Sequence, residues 1–137
     1  QQCQTHTCQP IKVMIDAAHC GDSDLSMSEN EAVIKDLAKV DALGIFHASA
    51  KTTRGCLSTD DGWIAALLNA CASTGKLEHV FIELFHHQDA ALEPLRKLVK
   101  GHGVDTTDGR TYDRTVVDGI IDITHRLNNL KARKVLK

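Results

Sequence analysis

The chain has 137 residues, of which 42% are hydrophobic, 25% charged and 4% aromatic, and its formal charge is −2 with histidine neutral. That profile excludes collagen-like, disordered and supercharged classes and describes one domain of ordinary size. No apolar run approaches the roughly 20 residues that span a bilayer, and the small net charge creates no global field to recruit nucleic acid or an acidic membrane.

In chain order, the opening QQCQTHTCQP has no initiator Met and no apolar segment but carries Cys3 and Cys8. It reads as a mature chain relieved of a signal peptide, so secretion is expected. Pro10 suits the first position of a helix whose apolar face is Val13, Met14 and Ala17. A polar, Asp-rich segment follows, and a second helix is predicted over 28–46, with Val33, Ile34, Leu37 and Val40 on one side. Ser26 to Glu29 and Ser28 to Glu31 both have the spacing of a capping box. The third helix is predicted from Ser58 through Trp63, Ile64, Leu67, Leu68 and Cys71. A fourth starts at Leu77, stacks Val80, Phe81, Leu84 and Phe85, and is kinked or restarted at Pro94. The last carries Val116, Val117, Ile120, Ile121, Ile123, Leu127 and Leu130. No alternating stretch is longer than IKVMI, so the expectation is an all-α fold of four to six helices. Its organisation is an N-terminal Cys-containing segment over 1–9 and a single helical domain over 10–137.

Charge and cysteine usage add detail. Between Asp16 and Asp36 six acids face Lys35 alone, whereas the tail from Arg126 is basic, the arrangement a helix dipole favours at a C-terminus. Eight histidines make the surface acid-sensitive. The five cysteines, Cys3, Cys8, Cys20, Cys56 and Cys71, have neither C-x-x-C spacing nor a zinc-site pattern. Disulfides are the expected use, and the odd count leaves one thiol free or one bridge to a second chain.

An internal repeat organises the first half. Aligning DSDLSMSENEAVIKDL on RGCLSTDDGWIAALL sets Leu25 over Leu57 and Ser26 over Ser58. This pattern resembles the EF-hand, in which a short loop between two helices offers oxygen ligands at fixed positions and a bidentate Glu last. The resemblance implies Asp22, Asp24, Ser26 and Glu29 as calcium ligands in the first loop. Ala18 and Cys20 stand at the first two ligand positions, so calcium binding is weak or absent. The second loop, with Ala50, Thr52 and Arg54 at ligand positions, is calcium-blind. Paired loops imply a bridge between Cys20 and Cys56, with Cys3 to Cys8 as the other short-range pairing. A plain helical bundle with capped helices accounts for the same residues.

Two further constellations carry chemistry. GDS at Gly21 to Ser23 and DITH at Asp122 to His125 resemble the nucleophile and D-x-x-H blocks of GDSL-type hydrolases. That resemblance implies Ser23 as nucleophile, His125 as base and Asp122 orienting the imidazole. Glu83 with His86, and Asp122 with His125, also have the carboxylate-x-x-His spacing of di-metal sites in four-helix bundles. The expected function is a secreted, small helical binding or structural protein with degenerate EF-hand-like loops. The alternatives are a GDSL-type serine hydrolase and a helical-bundle carrier of a metal or small ligand. The expected partner is a protein or matrix component, with no nucleic acid, no membrane span and an odd cysteine available for a disulfide-linked dimer.

Overall fold

The computed structural model describes residues 11–51, 53–59, 62–98 and 106–136. The fold is mixed α/β, which overturns the all-α expectation and with it both the EF-hand-like helix pairs and the plain helical bundle. Three strands, β1 (Val13–Asp16), β2 (Leu43–Ala48) and β3 (His79–Ile82), form a parallel sheet in the order β1-β2-β3. Helices α1 (Ala17–Asp22) and α2 (Met27–Lys39) lie between β1 and β2, and α3 (Trp63–Ser73) lies between β2 and β3. The short α4 (Glu93–Leu98) and the long α5 (Tyr112–Ala132) follow.

The three strands occupy the segments assigned to helix ends. VMID, LGIFHA and HVFI are brief apolar runs rich in Val, Ile and Phe, and over four to six residues periodicity does not separate a buried strand from a helix turn. The predicted second helix is two elements: α2 stops at Lys39, Asp41 turns the chain with φ +55°, and β2 begins at Leu43. The capping box belongs to Ser26 and Glu29. The Glu29 amide donates to Ser26 Oγ at 3.3 Å while the Ser26 amide donates to Glu29 Oε2 at 2.8 Å. At the far end of α3, Gly75 takes φ +69°, the left-handed conformation that closes helices and that glycine adopts without strain.

Successive parallel strands need crossovers, and right-handed crossovers in a 1-2-3 order put α2 and α3 on the same face of the sheet. The buried residues agree: Ile15, Phe46 and Ala48 from the strands pack with Ile34 of α2 and with Ile64, Leu67, Leu68 and Cys71 of α3. Val80 and Ile82 of β3 join from the partly buried edge. The last helix, α5, packs on α3 and β3 and adds Ile123 and Leu130 to that core. It approaches closely at Gly119, where a Cβ would stand 2.6 Å from Leu84 Cδ1. Strand residues in register share a face, so Met14 and Phe81 point to the other side, and both are about half exposed.

Cys20, Cys56 and Cys71 take part in no disulfide, so the structure does not contain the Cys20 to Cys56 bridge inferred from paired EF-hand loops. Cys3 and Cys8, and the opening residues that prompted the expectation of secretion, lie outside the described residues. Among the described residues no helix is long and apolar enough to cross a membrane.

Candidate functional site at the carboxyl ends of the strands

Parallel α/β sheets bind ligands outside the carboxyl ends of their strands, where side chains from adjacent strands converge and helix starts face the opening. Here three such side chains meet. Asp16 ends β1, His47 stands one residue before the end of β2, and Glu83 follows β3 directly. Asp16 and His47 are partners in the parallel register, so their side chains leave the same face side by side. Asp16 Oδ2 lies 2.8 Å from His47 Nδ1, and Glu83 Oε2 lies 3.6 Å from the same nitrogen. The Glu83 backbone is anchored by its amide donating to Ala48 O at 2.9 Å. One ligand atom from each of the three residues falls within 4.8 Å of the other two.

Asp16 is held twice. Its Oδ1 accepts from the His19 amide at 3.0 Å, which makes it the N-cap of α1, and its Oδ2 faces His47. Burial works to raise this carboxyl, but the His19 amide and then the His47 ring outweigh it and hold it below the ordinary carboxylate value. Asp16 is therefore an anion buried to 7% exposure. The same charge acts on Cys20: burial first and Asp16 second push its thiol up. Asp16 and His47 share the sheet face opposite the one packed by α2 and α3, where Phe81 sits in register with His47.

The loop after β2 is tied to the segment after β3 by the Phe85 amide, which donates to Arg54 O at 2.6 Å. Arg54 is buried, takes φ +50°, and lies over the Phe85 ring at 5.7 Å. Its Nη2 donates to Asp22 at 2.5 Å, while its Nε and the buried Ser49 Oγ have no hydrogen-bond partner among the described residues.

The residues singled out from the sequence distribute as follows. Ser26 and Glu29 are joined in the capping box, and the Ser26 hydroxyl, then its amide, lowers the Glu29 carboxyl. Asp22 pairs with Arg54, and Asp24 is exposed. Ser23 Oγ donates to Cys20 O at 2.7 Å. Asp122 pairs with Arg126 on α5, and His125 is exposed one turn away; both line a cavity that Ser23 does not. Of the four residues in the carboxylate-x-x-His pairs, only Glu83 enters the cluster, and its partners there are Asp16 and His47 rather than His86. His86 is buried elsewhere, with Nε2 at 2.9 Å from Arg110 O. Asp16 and His47 were hidden in segments read as helix. The signal that finds them is a polar ligand type closing a short apolar run, IDA after KVM and HAS after GIF.

Compared with protein-family models, curated proteins and solved structures, the chain matches none.

Proposed function

We propose that the chain binds a divalent cation of the zinc class through Asp16, His47 and Glu83. The observation that carries this reading is the convergence of one imidazole nitrogen and two carboxylate oxygens from three adjacent strand ends within 4.8 Å. The donor chemistry selects among cations. Calcium asks for six to eight oxygen ligands, whereas zinc accepts mixed nitrogen and oxygen donors in a four-coordinate shell. Three protein ligands leave a fourth position for a water or substrate atom, the arrangement of catalytic rather than structural zinc sites. Asp16 arrives already ionised, and a cation would take the place of the His47 to Asp16 contact. The expectation of a secreted binding protein is carried forward with this site in place of the EF-hand loops.

Isothermal titration of the full chain with Zn²⁺, repeated in two buffers of different ionisation enthalpy, tests the proposal. The expected result is one cation per chain in both buffers, and Asp16→Asn and His47→Ala each weakening binding at least about tenfold, the scale of losing one ligand or its support. Binding through thiols elsewhere would survive both substitutions. Unchanged affinity in both variants, or no saturable binding by the parent chain, overturns the reading.

A further inference from the structure

A second group of reactive side chains lies where the loop after β2 meets the start of α5. Cys56 is buried and forms no disulfide, and Arg110 Nη1 donates to its Sγ at 3.0 Å. A guanidinium stays charged at any pH a protein meets, so a donor at this distance favours thiolate over thiol. The guanidinium is fixed in place by Asp108, which accepts from Nε at 2.9 Å and from Nη2 at 2.6 Å, and Asp118 lies 3.6 Å from Nη1. Independently of that contact, a cavity of about 310 Å³ is walled by Cys56 and Arg110 together with Ser58, Asp118, Asp122 and His125.

The wall also selects what enters. Asp118, paired with Arg114 at 2.9 Å, and Asp122, paired with Arg126 at 2.5 Å, outnumber Arg110 on this wall and disfavour an anionic guest. A neutral molecule meets no such barrier. The other described thiols have surroundings of the opposite kind. Burial, then the neighbouring Cys20, pushes Cys71 up to about 12, and burial with Asp16 pushes Cys20 up as well.

We propose that Cys56 is a peroxide-reactive thiolate, activated by Arg110 and reached through this cavity, whose substrate is a small neutral hydroperoxide. The sulfur attacks one peroxide oxygen, the S–O bond forms as the O–O bond breaks, and the departing hydroxide or alkoxide takes a proton from water. Sulfur loses two electrons and becomes a sulfenic acid; the hydroperoxide gains them and leaves as water or an alcohol.

The experiment treats the full chain with one equivalent of hydrogen peroxide at pH 7, traps sulfenic acid with dimedone and quantifies each cysteine by peptide mass spectrometry. Cys56 should be labelled at least tenfold more than Cys20 or Cys71. Arg110→Met should lower Cys56 labelling about tenfold and leave Cys20 unchanged, with Arg110→Lys in between. Equal labelling of Cys56 and Cys20, or a folded Arg110→Met chain that labels Cys56 as before, overturns the proposal. A measurement on the parent chain stands whether or not that variant folds: the pH dependence of Cys56 modification by methyl methanethiosulfonate. A midpoint below the ordinary thiol value of about 8.5 supports the thiolate, and one at or above it overturns it.

Discussion

Asp16 shows how one residue links fold and site. It ends a strand, caps the helix that follows and presents its second oxygen to His47, so the backbone geometry that starts α1 also aims the carboxylate. Cys71, in the core on the other side of the sheet, titrates the other way. Its thiol, raised to about 12, holds its proton more tightly in the folded chain than in the unfolded one, where a thiol ionises at about 8.5. That contribution to stability is complete below the unfolded value and is lost as pH rises toward 12. Denaturant titrations at pH 8 and pH 10.5 should therefore show the parent chain losing about 2 kcal/mol more than Cys71→Ala over that interval. Equal losses in the two chains would mean that the thiol is not buried as described.

The elements rest on local devices that can be removed singly. Ser26→Ala deletes the hydroxyl that accepts from the Glu29 amide and should cost about 1 kcal/mol in thermal or denaturant unfolding. Gly119→Val puts side-chain volume against Leu84 where even a Cβ is too close, and should destabilise by about 1 to 3 kcal/mol despite improved helix propensity. The capping box at Ser26 and Glu29, and the apolar stripe of α5, were legible in the sequence because caps and long amphipathic helices leave signals over many residues. The strands were not, because each is a four- to six-residue apolar run whose pairing partner lies tens of residues away. A polar residue after such a run reads as a helix face when the run is taken as helix, which is how Asp16 and His47 escaped notice. Glu83 was noticed for its spacing from His86, a spacing that has no spatial meaning once the segment leaves the strand.

At the scale of the whole molecule, the helices cover one face of the sheet and the site occupies the carboxyl end of the other. The two faces should differ in energetic weight. Phe46, fully buried between β2 and the helices, should cost about 3 to 5 kcal/mol when replaced by Ala. Phe81→Ala, on the uncovered face at 52% exposure, should stay under about 1 kcal/mol. A parallel sheet is usually covered on both faces, and here Met14 and Phe81 are about half exposed on the face that carries Asp16 and His47. Anomalous diffraction at the zinc absorption edge, on crystals of the full chain grown with Zn²⁺, would locate the bound cation. The expected result is a peak bounded by the Asp16 carboxylate, the His47 ring and the Glu83 carboxylate, lost in His47→Ala crystals. Peaks only at cysteines or on the surface, with Asp16 and His47 still sharing their hydrogen bond, would contradict it.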